Sequence, residues 1–247
     1  MKLTVVGCGD AFGSGGRLQT CFHVDTGADR FLIDCGTTSL IGFDRLGLDP
    51  NTVGTILVSH LHGDHFGGLV WWLLHAQHVS RRMEPLKVAG PPGIEARFTA
   101  AAEALFPGST GVRRRYELSF CEYPLDRPLA VGPVVVTARE VIHPSGATSC
   151  ALRMDVAGRT IAFSGDTEWA ETLVATGAGA DLYIVECFSW DGAIRYHLTW
   201  QVISANLARI GAKRVLLTHM NNDMLRRAAG TQMSGVELAH DGLVVEL

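Results

Sequence analysis

The sequence predicts an α/β (α+β) protein in which two β-sheets pack face to face with helices on their outer faces, and three observations carry this prediction. Two β-rich blocks occur along the chain, each followed by segments of helical pattern. No Ser- or Pro-rich linker, low-complexity tract or short-period repeat interrupts them. The 247 residues, 47% hydrophobic and 19% charged, have the composition of an ordinary globular protein, so a single domain over residues 1–247 is expected.

In chain order, Leu3 to Val6 is a short β-type run closed by Gly7, and Gly13-Ser14-Gly15-Gly16 is a loop. Cys21 to Val24 and Phe31 to Ile33 resume strand character, and Thr55 to Ser59 is a buried-strand pattern that ends at His60. Phe66 to about Arg82 reads as helix, Leu86 to Gly90 as strand, and Ile94 to Phe106 as a second helix after Pro91-Pro92-Gly93. Val134 to Ala138, Cys150 to Val156 and Thr160 to Phe163 form the second β-rich block, with a hairpin turn over residues 155–159. Strands at Asp181 to Val185 and Arg214 to Thr218, a helix over Leu198 to Ile210 and a closing strand near Leu243 to Leu247 complete the reading.

A net charge of −4 offers no global attraction for nucleic acid or an anionic membrane, so an anionic substrate needs local positive charge. The arginine clusters Arg81-Arg82, Arg113-Arg114-Arg115 and Arg226-Arg227 lack interleaved aromatics and read as solvated surface. No secretory signal and no apolar run long enough to span a bilayer is visible, so a soluble protein is expected. Six scattered cysteines without Cys-x-x-Cys spacing read as reduced and mostly buried, which fits a cytoplasmic location.

The chemistry is concentrated in His60-Leu61-His62-Gly63-Asp64-His65, three imidazoles and one carboxylate in six residues. Gly63 is read as the residue that lets the backbone fold tightly enough for these side chains to converge. The run can serve two ions if His60 and His62 face one and Asp64 and His65 the other, but each ion then needs further ligands. His143, Asp166 and His219 each follow a strand pattern and are the candidates. Asp34, which also ends a strand, reads either as a partner that fixes a ligand imidazole or as a turn cap.

The ordered set His-x-His-x-Asp-His, His, Asp, His resembles the dinuclear site of metallo-β-lactamase-fold hydrolases over nearly the whole chain. The resemblance implies a four-layer αββα sandwich of two mixed sheets. It also implies that His60, His62 and His143 hold one ion, that Asp64, His65 and His219 hold the second, and that Asp166 bridges them. His62 stands where the diiron oxidoreductase branch has glutamate, which favours hydrolysis and two Zn²⁺, with Mn²⁺ or Fe²⁺ as substitutes. True β-lactamases lack the aspartate matched by Asp166.

Within the fold family the sequence is most similar to ribonuclease Z and its phosphodiesterase and arylsulfatase-like relatives, through Gly7-Cys8-Gly9-Asp10-Ala11-Phe12-Gly13, His62 to Leu69 and His197-Leu198-Thr199. Glu186 and His197 are the candidate orienter and proton donor, although Glu186 has lost its motif neighbours and Leu198 replaces serine. The alternative for this pair is an exposed Glu186 and a helix-capping His197. Ribonuclease Z carries a long transfer-RNA-binding arm between the ligands matching His143 and Asp166, whereas here 22 residues separate them, so transfer RNA is not expected as substrate.

The implied mechanism is attack by a hydroxide generated at the two ions, with Asp64 orienting it and His197 protonating the leaving oxygen. A small phosphodiester or related ester is the expected substrate, with a sulfate ester, lactone or thioester as alternatives. A non-catalytic, metal-stabilised scaffold is the alternative from another class. Pocket walls are expected near Trp71, Trp169, Phe188 and Trp190, and homodimerisation is left open. His23, His75, His78 and His240 match no position of the pattern and are left outside the site.

Overall fold

The computed structural model describes residues 1–192 and 194–247. Alternating apolar residues build two seven-stranded sheets. The first contains β1 (Lys2–Gly7), β2 (Cys21–Asp25), β3 (Arg30–Ile33), β4 (Thr55–Leu57), β5 (Leu86–Gly90), β6 (Leu118–Glu122) and the last strand, β14 (Val244–Glu246), in the order β14-β1-β2-β3-β4-β5-β6. The second contains β7 (Pro128–Val131), β8 (Val134–Glu140), β9 (Cys150–Val156), β10 (Arg159–Phe163), β11 (Leu182–Glu186), β12 (Val215–Thr218) and β13 (Glu237–Leu238), in the order β13-β12-β11-β10-β9-β8-β7. The first sheet is antiparallel from β14 through β1 and β2 to β3 and parallel from β3 to β6, and the second is antiparallel from β7 to β10 and parallel from β10 to β13.

The helices are α1 (Ser39–Arg45), α2 (Gly63–Phe66), α3 (Gly68–Leu74), α4 (Ile94–Leu105), α5 (Thr172–Gly177), α6 (Trp200–Ile210) and α7 (Asn222–Ala229). Strand alternation sorts the apolar side chains into three layers. Phe22, Phe31, Ile33, Phe163, Ile184 and Leu216 fill the space between the sheets, where Phe22 and Phe163 meet edge to face at 5.7 Å. Leu32, Ile56 and Val88 face α1, α3 and α4, while Tyr183, Val185 and Leu217 face α5, α6 and α7. The layering is therefore αββα, the architecture of the metallo-β-lactamase fold.

The strand geometry delivers the chemistry to one edge. β8 and β10 are both antiparallel to β9, and β10, β11 and β12 are mutually parallel, so β8, β10, β11 and β12 all end on the same side. His143, Asp166, Glu186 and His219 lie at or just beyond those ends. Backbone bonds across the sheets hold this edge against the first sheet: Cys150 N–H donates to Ser59 C=O at 3.0 Å, and His219 N–H to Cys8 C=O at 3.0 Å. No helix among the described residues is long and apolar enough to cross a membrane.

The expected helix from Phe66 to about Arg82 is present in part. Most of that stretch is helical, but the ladder is interrupted after Gly67, whose φ and ψ remain helical while Gly68 N–H turns to Cys35 C=O, and it finishes short of Arg82 in a wide π-type turn over His75–Val79. The expectation that Arg82 is solvated is also overturned, because only 1% of it is exposed. Its guanidinium donates to the carbonyls of Glu84, Pro50, Asn51, Val53 and Pro85 at 2.6 to 3.3 Å and lies 5.8 Å from the centre of the Tyr116 ring.

His23 on β2 faces the helix layer, where it meets Phe43 edge to face at 5.6 Å, and neither ring nitrogen finds a hydrogen-bond partner. Burial pushes its pKa down to about 4, so the folded state holds it neutral. Because the unfolded chain protonates near the ordinary 6.5, this residue's contribution to stability is complete above that pH and is lost as pH falls toward 4. Denaturant unfolding at pH 7 and pH 5 should show wild type losing about 2 kcal/mol more than His23→Leu over that interval. Equal losses in the two proteins would remove this assignment.

Candidate metal centre

His60 and His62 occupy the loop leaving β4, and Asp64 and His65 lie in α2. That loop is not shaped by Gly63 as expected, since a Cβ there meets nothing within 4 Å. The close approach is instead at Gly67 and Gly68. A Cβ at Gly68 would stand 2.1 Å from Gly36 O, where the turn after β3 packs onto the start of α3. Cys35 N–H to His65 C=O at 2.6 Å and Gly68 N–H to Cys35 C=O at 2.8 Å close this junction.

The candidate donors gather into two groups. The ligand atoms of His60, His62 and His143 lie within 4.8 Å of one another, as do those of Asp64, His65, Asp166 and His219. Asp166 stands between the groups, its oxygens 3.4 Å from His65 Nε2, 3.2 Å from His219 Nε2, 3.9 Å from His60 Nε2 and 4.0 Å from His143 Nε2. This grouping is the one the resemblance implies, and each group draws donors from both sheets.

Second contacts aim the rings. Asp34 accepts Ser59 N–H at 2.7 Å and Ser59 hydroxyl at 2.8 Å, and it meets His65 Nδ1 at 2.6 Å, leaving His65 Nε2 toward the cluster. Of the two readings of Asp34, this is the ligand-orienting one. His60 Nδ1 lies 3.1 Å from Ser59 Oγ, and His143 Nδ1 lies 2.9 Å from Tyr196 C=O. Tyr196 is itself held by its N–H to the Glu168 carboxylate at 2.7 Å. Asp34, Tyr196 and His219 adopt left-handed φ values of 59°, 72° and 59°, costly conformations for non-glycine residues that persist where the surroundings over-determine them.

Electrostatics divide the imidazoles. Burial, reinforced by neighbouring imidazoles, pushes His60 well down, and burial holds His62 below its ordinary value and His143 at about 4, so these rings are neutral donors. At His65 and His219 burial is outweighed by the carboxylates, Asp166 foremost, and both are raised. The same pairing outweighs burial at Asp64 and Asp166 and holds both carboxyls low.

The residues fit divalent cations. His60 Nε2, His65 Nε2 and Asp166 Oδ1 are buried without a hydrogen-bond partner, and His143 Nε2 faces His62 Nδ1 at only 3.0 Å. Lone pairs converging in this way suit a positive ion, and five imidazoles with two carboxylates match the nitrogen and oxygen preferences of zinc-type metals.

Glu186 is fully buried and His197 partly so, which overturns the alternative of an exposed acid. The Glu186 oxygens lie 3.1 and 3.2 Å from His197 Nδ1, and Thr199, not His197, caps α6 by accepting Val202 N–H. Burial is outweighed by Glu186 and Asp166, and His197 is pushed up to about 9. Phe188 stacks on the His197 ring at 4.8 Å. A cleft of about 410 Å³ opens over this floor. Of the four aromatics expected in its walls only Phe188 lines it. Trp71 packs on Phe106, Trp169 sits under Arg209, and Trp190 packs on Trp200.

The family profile described as Anti-Pycsar protein Apyc1 matches residues 1–242. The chain belongs to the anti-Pycsar protein Apyc1 family. It is also similar to the probable metallo-hydrolase YhfI of Bacillus subtilis, with 26% identity covering 100% of both chains. The crystal structure of YhfI superposes with a TM-score of 0.77, covering 99% of each chain at 25% identity. Ribonuclease Z of Methanothermobacter thermautotrophicus is 25% identical over 100% of this chain and 97% of its own. The short form of human tRNase Z shares the fold at a TM-score of 0.78, with 23% identity over 100% of this chain and 99% of that one. Fold, cluster and relatives together make the chain a metal-dependent hydrolase of the metallo-β-lactamase fold.

Proposed function

We propose that the chain hydrolyses a small phosphodiester or related small ester with two divalent ions, zinc being the metal the donor set suits best. The observation that carries this reading is the pair of donor groups at the floor of the cleft beside the Glu186–His197 pair. The names of the relatives, a ribonuclease and a metallo-hydrolase, support ester chemistry at phosphorus. The cleft volume of about 410 Å³ suits a small molecule. The stretch between His143 and Asp166 is taken up by the β9–β10 hairpin, which supports the small-ester reading.

Bound ions would supply an acidified water and Lewis-acid polarisation of the scissile oxygen, held by His60, His62 and His143 on one side and Asp64, His65 and His219 on the other, with Asp166 shared. Asp64 orients the attacking water. Glu186 accepts a hydrogen bond from His197 Nδ1–H and fixes the ring's orientation, which leaves Nε2 to deliver a proton to the leaving oxygen. Phe188, stacked against the ring, limits its rotation and keeps water from that face.

Zinc-loaded protein should turn over bis-p-nitrophenyl phosphate in preference to aryl sulfates, lactones and thioesters. His197→Ala should lower kcat by about 10²- to 10⁴-fold, the usual worth of a positioned proton donor. Absence of phosphodiester turnover would overturn the substrate class, and absence of bound metal after zinc-supplemented purification would favour a scaffold.

A further inference from the structure

We propose that Phe12 and Arg195 form a recognition pair at the cleft that selects phosphodiesters whose non-leaving substituent carries a flat ring. The proposal rests on the phosphodiester reading above and names a finer feature of its substrate. Both residues line the same cleft as His197 and the donor groups. Phe12 lies on the loop leaving β1 of the first sheet and Arg195 on the loop leaving β11 of the second.

Phe12 is 84% exposed, which places a large apolar ring in water beside the chemistry. The backbone beneath it is built and not slack. The fully buried Asp10 carboxylate accepts Phe12 N–H at 3.1 Å, Ser14 N–H at 2.9 Å and the Ser14 hydroxyl at 2.7 Å. Gly13 completes the turn with a left-handed φ of 69°. An aromatic face presented by a rigid turn at a reaction cleft binds a second ring with little ordering entropy lost.

Arg195 is the one lysine or arginine among the described residues lining the cleft. Its guanidinium carbon sits over the Tyr196 ring, 4.8 Å from the ring centre. Among the described residues it forms no salt bridge, so its charge is free to meet an anion. Tyr196 is pinned from both sides by Glu168 and His143, so the arginine is carried on a fixed platform. In a chain of net charge −4 this local cation draws in the diester, and Phe12 discriminates by the shape of what is attached to it.

Two diesters with a common p-nitrophenolate leaving group separate these effects: phenyl p-nitrophenyl phosphate and methyl p-nitrophenyl phosphate. Zinc-loaded wild type should favour the phenyl ester by about tenfold or more in kcat/KM, the scale of one aromatic stacking contact. Phe12→Ala and Phe12→Leu should collapse that ratio toward one, chiefly through KM, and Arg195→Gln should raise KM for both esters. Calorimetric titration with phenylphosphonate and methylphosphonate, which bind without turnover, should show the same preference in wild type and its loss in Phe12→Ala. A wild type indifferent to the ring, or a preference that survives both Phe12 variants, overturns the pair. Failure to turn over either diester while the phosphonate preference persists would instead count against the phosphodiester reading and leave the ring-binding role standing.

Discussion

Asn in place of Asp166 should lower turnover by about 10³-fold or more and reduce bound metal below two ions per chain, while the fold survives. Asp166 is placed against both donor groups, with His65, His219, His60 and His143 all within 4.0 Å of its oxygens. The amide is nearly isosteric, so packing around this buried position is preserved and the change is confined to charge and ligand strength. Elemental analysis, turnover of bis-p-nitrophenyl phosphate and thermal unfolding read the three consequences separately. A variant that keeps the wild-type metal content and rate would overturn the proposed bridging role of Asp166.

Arg82→Ala should lower stability by about 3 to 5 kcal/mol, a large effect for a residue outside the site. The guanidinium satisfies five carbonyls from the segments around Pro50–Val53 and Glu84–Pro85, and its stem fills fully buried space. Deleting it leaves those acceptors unpaired and opens a cavity, two costs that add. At this chain length the midpoint should fall by about 10 °C in a thermal melt. Arg82→Lys should recover only part of the loss, because an ammonium has three donors and cannot reproduce the planar fork. A fall of less than about 3 °C for Arg82→Ala would show that the carbonyls find other partners.

The donors were legible in the sequence because metal chemistry accepts few residue types, and strands rich in Val, Ile and Leu announce where such residues sit. His143, Asp166 and His219 each follow a recognisable strand, and all three join the cluster. The elements that escaped were those whose existence depends on neighbours. β7 begins at Pro128 on a sheet edge, β13 has two residues, and the polar helix α7 buries little beyond Met224 and Ala228. α1 carries Gly42 where a Cβ would collide with Val6, so tertiary fit overrides helix preference.

Arg82 misled for a similar reason. An arginine beside another arginine reads as solvated until the chain folds carbonyls around it. Phe12 falls within the Gly7–Gly13 stretch that carried the resemblance, but neither it nor Arg195 has a periodicity that marks a role, and only the converging loops give them a setting.

Each proposed ion takes donors from both sheets, His60 and His62 opposite His143, and Asp64 and His65 opposite Asp166 and His219. Registration between the two halves of the sandwich is thereby a shared variable. Metal distances tolerate only about 0.2 Å, so a slight slip of one half over the other would detune both positions at once. Occupancy of the two positions should accordingly rise and fall together, as rungs of one ladder, and a mutation deep in the layer between the sheets can weaken metal retention without touching a single donor.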